Sequence, residues 1–252
     1  MASVLAFANQ KGGVAKTTTV HALGDALVER GRRVLLVDLD PQACLTYAAG
    51  VTLADDARSL HDVFVGRASA ADVLIERDGY PALLPASIDL AGAEVHLLTK
   101  TGREHVLARA LKPLVDTFDY VLIDCSPSLG ILTINGLTAA HHVAIPFQCD
   151  TLSNRGVGQL LETVDDVHSF TNEQLRVLGG IATMFDARTR LARDVLADVT
   201  SAHGLEVLVP PIPKSIRVAE APGFARSVLR HAPTSRAAAA YRELAATIEE
   251  RT

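Results

Sequence analysis

The stretch that decides the fold is Val4-Leu5-Ala6-Phe7-Ala8-Asn9-Gln10-Lys11-Gly12-Gly13-Val14-Ala15-Lys16-Thr17-Thr18, with Val34-Leu35-Leu36-Val37-Asp38 following it. Val4 to Ala8 is a short, wholly apolar run and reads as a buried strand. Asn9 to Ala15 is polar and glycine-rich and cannot continue it. From Lys16 to Arg30 the apolar residues Val20, Leu23, Ala26 and Leu27 recur at helical spacing, and Gly31 supplies a stop. Val34 to Val37 is a second buried strand. Strand, loop, helix and strand in forty residues make one βαβ unit, which requires a parallel pair.

The alternation continues outward. Strands are predicted at Glu94 to Thr99, Tyr120 to Ile123, His142 to Pro146, Arg176 to Thr183 and Val207 to Val209. Helices are predicted at His105 to Phe118, from Pro127 to about Ala140, Gly156 to Phe170, Leu191 to His203 and Arg236 to Glu250. Thr52 to Ser87 is irregular and gives no clear element. The expectation is a single α/β domain over residues 1–252, with a mainly parallel twisted sheet covered by helices on both faces. No Pro/Gly/Ser linker or internal repeat divides the chain.

Composition narrows the function classes. The chain has 252 residues, 48% of them hydrophobic, enough for a sizeable core and against global disorder. Aromatics are 4% and Trp is absent, which argues against stacking platforms for single-stranded nucleic acid. The net charge of -5 means that any nucleic-acid binding must come from a local basic patch. The three cysteines, Cys44, Cys125 and Cys149, have no CxxC spacing and read as reduced thiols of a cytoplasmic protein. The strand-like run from Met1 to Ala8 has no basic leader, and no apolar stretch is long enough to span a membrane.

The loop between strand and helix suits phosphate. Small residues let backbone N–H groups converge on phosphate oxygens, and the helix N-terminus adds its dipole. Lys16 would supply a point charge and the Thr17 hydroxyl would ligate Mg²⁺. The generic G-x-x-x-x-G-K-[ST] template is missed twice, since Gln10 and Ala15 stand at its glycine positions. By that template alone, a tight βα turn with an incidental lysine remains open.

Two apolar strands end in acids, which places carboxylates at the ligand edge of a parallel sheet. Asp38 and Asp40 lie two apart and share a side if the strand persists. Asp-Pro at 40–41 is equally an ordinary turn or helix N-cap. Asp124 closes Tyr120-Val121-Leu122-Ile123 in the pattern of an acid that holds Mg²⁺.

Lys-Gly-Gly-x-x-Lys-Thr, read from Lys11 to Thr17, resembles the deviant Walker A motif of the ParA/MinD family of P-loop ATPases. That resemblance implies ATP and Mg²⁺ as cofactors, with Gly12, Gly13, Val14, Ala15, Lys16, Thr17 and Thr18 around the phosphates. It makes Lys11 the signature lysine, which reaches the ATP of a partner in a homodimer. Asp40 would orient the attacking water, Asp38 would support the Mg²⁺ shell, and Asp124 would be the Walker B acid. Ala15 stands where the family has Gly, keeping the N–H but restricting φ. Cys125 to Gly130 resembles the switch segment D-x-P-P-S-L-G, with Ser126 in place of one Pro.

The resemblance spans essentially the whole chain. Leu84 to Glu94, Ile145 to Cys149, Thr183 to Thr189 and Ile212 to Pro222 are similar to stretches of chromosomal ParA (Soj) proteins. It implies adenine contacts at Met184 and Pro213. It also implies non-specific double-stranded DNA as a partner, held by Arg188, Lys214 and Arg217. From Met184 to Arg236, eight Lys/Arg against five acids leave +3, so basic charge is concentrated there. That charge alone equally fits a solvated surface. A ParB-type protein that stimulates hydrolysis, and nucleoid association, are further implications. A MinD-like membrane cycle would need an amphipathic, basic C-terminal helix, whereas Ala237 to Thr252 is alanine-rich and ends Glu-Glu-Arg-Thr. An iron–sulfur relative would need bridging cysteines. A ParA-like ATPase positioning another cargo stays open. The motif starts within the first ten residues, so no N-terminal helix-turn-helix domain is expected.

Overall fold

The computed structural model describes residues 2–150 and 153–252. Met1, part of the N-terminal strand-like run, lies outside the described residues. In chain order the elements are β1 (Ser3–Phe7), α1 (Lys16–Glu29), β2 (Val34–Leu39), α2 (Cys44–Ala48), α3 (Leu60–Val65), α4 (Ala70–Val73), β3 (Ala82–Leu84), α5 (Leu90–Leu97) and α6 (Val106–Leu111). They continue with β4 (Tyr120–Cys125), α7 (Ile131–Ala139), β5 (His142–Gln148), α8 (Ser153–Phe170), β6 (Arg176–Thr183), α9 (Arg190–His203), α10 (Ile216–Glu220), α11 (Val228–His231) and α12 (Arg236–Arg251).

The six strands form one sheet in the order β3-β2-β4-β1-β5-β6, with every neighbouring pair parallel. Successive residues of a strand face opposite sides, so each strand serves two cores. On β2, Leu35, Val37 and Leu39 join the layer that contains α3, α5, α7 and α8, while Val34 and Leu36 join the layer under α1 and α12. β1 divides in the same way, Val4 and Ala6 on one side and Leu5 and Phe7 on the other. Burial on both faces explains why these strands read as continuous apolar runs. α12 buries Tyr241, Leu244 and Ile248 completely, each removal of such a side chain from water being worth about 1.5–3 kcal/mol. The alanine-rich tail is thus a packing helix of the domain. Among the described residues, no helix is long and apolar enough to cross a membrane.

Several boundaries differ from the sequence expectation. Glu94 to Thr99 is not a strand. Leu90, Ala93 and Leu97 are buried at helical spacing while Val95 and Leu98 are exposed, a period of 3.6 rather than 2. The edge strand is instead Ala82–Leu84, inside the stretch that gave no clear element. Three residues are too few to show a period. Val207 to Val209 makes a single parallel bridge, Gly180 to Val207, and no strand. The α-helix expected to Phe118 stops at Leu111, and the one expected from Pro127 starts at Ile131. α3 and α4 each begin with a serine and an aspartate three residues on, Ser59 with Asp62 and Ser69 with Asp72, forming reciprocal capping boxes.

β1 lies inside the sheet, between β4 and β5. The chain leaves β1 for β2 on one side, and leaves β4 for β5 on the other. That reversal opens a crevice at the carboxyl ends of the strands, where open parallel sheets bind ligands.

Candidate functional site

The loop after β1 enters that crevice. Gly13 has φ +76 and Ala15 has φ +61, both left-handed. Alternation of hand turns successive N–H groups inward to form an anion-binding nest. Ala15 is also the N-cap of α1 and offers no side-chain cap, so the first N–H groups of the helix remain for a ligand. The alanine that replaces the family's glycine therefore sits where a Cβ is strained, at a cost of about 1–2 kcal/mol. Thr183, at the end of β6, fastens the loop: its hydroxyl donates to the carbonyls of Val14 at 2.9 Å and Phe147 at 3.0 Å. Asn9 ties it to β5 by donating to the Pro146 carbonyl at 2.8 Å.

Gly12, Gly13, Ala15, Lys16, Thr17 and Thr18 line a cavity of about 1000 Å³. Val14 does not; its side chain is buried, and only its backbone can serve the site. Lys16 is 7% exposed at the phosphate end.

β2 and β4 bring two acids side by side, since Asp38 and Asp124 are register partners and both are fully buried. Their surroundings differ. Asp38 accepts from the Thr46 N–H at 2.8 Å, the Thr46 hydroxyl at 2.7 Å and the Asp40 N–H at 3.3 Å. Burial pushes its carboxyl up to about 6 despite those donors. Neither oxygen of Asp124 has a hydrogen-bond partner. Burial raises its carboxyl to about 7, opposed by the Lys16 charge and raised further by Asp38, while the nearby Thr17 hydroxyl favours the ionised form without completing a bond. An orphaned buried carboxylate beside a threonine hydroxyl suits a hard divalent cation. Among the described residues no cluster of three or more His, Cys, Asp or Glu forms a complete metal cage, so phosphate oxygens would have to finish the coordination. Asp40 is 8% exposed at the cavity; one oxygen accepts from the Gln42 N–H at 2.9 Å, leaving the other for a ligand.

Met184 and Pro213 both lie on the cavity wall, Met184 with φ +49. Phe185 and Pro213 form a parallel bridge that lays segment 183–188 beside segment 212–217. Arg188, Lys214 and Arg217 are thereby carried on two adjoining segments. All three are exposed; Arg188 is paired with Asp186 at 2.8 Å and Arg217 with Glu220 at 3.0 Å. Lys11 does not line the cavity. Its ammonium pairs with Asp150, and its N–H donates to Asn9 at 2.9 Å.

The roles of Asn9, Thr46, Asp150 and Thr183 had no signal in the sequence, because each acts across at least eight and up to 169 residues of chain. Polyphosphate with a divalent cation is the ligand chemistry that answers the nest, Lys16, Thr17 and Asp124 together. Fold and site thus define a P-loop nucleotide-binding protein.

Residues 2–177 match the family described as "AAA domain". The chain is 41% identical over 249 residues to the sporulation initiation inhibitor protein Soj of Bacillus subtilis, covering 97% of each. It is 39% identical over 252 residues to the chromosome partitioning protein ParA of Caulobacter vibrioides, covering 98% of this chain and 94% of that one. A crystal structure named cobyrinic acid a,c-diamide synthase, from Mycobacterium smegmatis with bound ADP and magnesium, superposes with a TM-score of 0.89 at 51% identity, covering 99% of this chain and 95% of that one. The chain belongs to the ParA/MinD family of P-loop ATPases.

Proposed function

We propose that the protein is a cytoplasmic, nucleoid-associated partition ATPase whose ATP state is a face-to-face homodimer that holds DNA without sequence preference. The observation that carries this reading is the division of labour between two lysines of one loop. Lys16 is buried at the cavity, whereas Lys11 stands outside it in an exchangeable surface pair with Asp150. A lysine so placed is available to the nucleotide of a facing copy. The relatives named Soj and ParA support the same reading.

Phosphoryl transfer needs little covalent help and is catalysed mainly by positioning and charge neutralisation. Lys16 and the N–H groups of residues 13–18 would hold the phosphates. Thr17 and Asp124 would hold Mg²⁺, which when bound supplies charge neutralisation at the phosphate oxygens. Asp38, locked by Thr46, fixes the strand end, and Asp40 orients the attacking water. In the dimer the exposed arginines and Lys214 of two chains adjoin, and hydrolysis, stimulated by a ParB-type partner, separates them.

The test is binding to random-sequence duplex DNA with no nucleotide, ADP or ATP at two salt concentrations. Binding with ATP only, falling steeply with salt, retained in Asp40→Ala and lost in Lys16→Ala and Arg217→Ala, is the expected outcome. DNA binding by Lys16→Ala equal to wild type in ATP would refute it.

A second reading, ATP-dependent amidation, comes from the name of the Mycobacterium smegmatis structure. Burial argues against glutamine hydrolysis by this chain's own thiols: it raises Cys125 to about 12 and Cys149 to about 11, and also raises Cys44. Ammonia-dependent ADP release without DNA binding would favour amidation instead.

A further inference from the structure

The cavity does not end at the phosphate contacts. From Thr17 and Thr18 it runs along α1 to His21, one turn further on the same face. At 1.5 Å per residue, His21 lies about 7.5 Å along the helix axis from Lys16. Ala219, Val228 and Tyr241 line the same cavity.

The other polar groups there are already committed. The Ser227 hydroxyl donates to Asp25 at 2.5 Å, Arg230 donates to the same carboxylate at 2.8 Å, and the Tyr241 hydroxyl is 3.2 Å from that of Thr19. His21 is 6% exposed, and none of the hydrogen bonds among the described residues engages its imidazole. Burial lowers its pKa, more than Asp25 raises it, so the ring is neutral and offers one donor and one acceptor.

We infer that His21 is a nucleoside-binding residue: the part of the cavity beside it takes the ribose–base portion of the nucleotide, with the imidazole as its hydrogen-bonding partner. This rests on the ATP reading above. It gives the site a polar contact beyond the wall formed by Met184 and Pro213.

The experiment is calorimetric binding of Mg²⁺-ATP and, separately, Mg²⁺-tripolyphosphate to wild type, His21→Ala, His21→Asn and Ala219→Trp. His21→Ala should bind ATP roughly five- to thirty-fold more weakly, the loss of one buried hydrogen-bonding partner, with tripolyphosphate affinity unchanged. His21→Asn, which keeps a donor and an acceptor, should recover most of the loss. Ala219→Trp changes an exposed wall residue and fills cavity space away from the phosphate loop without disturbing the core, so it should weaken ATP alone. Unchanged ATP affinity in both His21→Ala and Ala219→Trp, or equal losses for ATP and tripolyphosphate, would overturn the assignment. A wild type that binds tripolyphosphate but not ATP would sink the ATP reading itself.

Discussion

Replacing Asp124 with Asn should stabilise the nucleotide-free protein at pH 8 while abolishing Mg²⁺-dependent hydrolysis. Asp124 is fully buried with both oxygens unpartnered, and its carboxyl is raised from 3.8 to about 7. A folded-state value above the unfolded one means that the folded chain holds the proton more tightly. The stability gained is complete below the unfolded value of 3.8 and is lost as pH rises through about 7. At about 1.4 kcal/mol for each tenfold change in proton affinity, the charged side chain costs the folded state up to about 4 kcal/mol at pH 8. The value of about 7 already includes the opposing attraction of Lys16, so the neutral Asn is expected to recover most of this cost. Asn keeps the shape and never ionises. Urea denaturation of both proteins with EDTA and no nucleotide, at pH 5 and pH 8, reads the effect, to which easier ionisation of the neighbouring Asp38 adds once the Asp124 charge is gone. The variant should be the more stable by about 1–2 kcal/mol at pH 5, and by a larger margin at pH 8. A variant less stable than wild type at pH 8 would show that Asp124 is well paired, and the argument for an orphaned metal-binding carboxylate would fail.

Three further outcomes follow from single contacts. Ala15→Gly removes the strain of a Cβ at φ +61 and should stabilise the protein by about 0.5–1 kcal/mol in the same denaturation assay, net of the greater flexibility of the unfolded glycine. Thr46→Val deprives buried Asp38 of a 2.7 Å donor and should destabilise by about 1–3 kcal/mol, with a lower hydrolysis rate read by phosphate release. Lys11→Ala should bind ATP with affinity near that of wild type yet stay monomeric by light scattering, whereas Asp150→Asn, which releases Lys11 from its pair, should dimerise at lower ATP concentration.

The long elements were legible because burial on both faces of a parallel sheet leaves unbroken apolar runs, as in Val34 to Leu39 and Tyr120 to Cys125. Elements too short to show a period were not. Ala82–Leu84 became a strand through pairing with Leu35 to Val37, contacts made across more than forty residues. Glu94 to Thr99 failed for the complementary reason: it is apolar on two helical faces, and alternation over a few residues cannot tell that from a strand.

The sequence by itself determined the phosphate loop, its lysines and the acids at the strand ends. The spacing of Lys11, Gly12, Gly13, Lys16 and Thr17 is local chain geometry, and Asp38 and Asp124 close apolar runs that end within one residue of them, in β2 and β4. Only the tertiary structure set the surroundings of the two acids apart. Asp38 and Asp124 look alike near the strand ends, but Thr46 from α2 donates twice to one while no hydrogen bond reaches the other. It also decided that Ala15 is left-handed, that Asp150 holds Lys11 and that His21 borders the cavity. Hydrogen bonding, burial and charge pairing are set by which distant segments meet in space, and the spacing of residues along a chain carries no record of that.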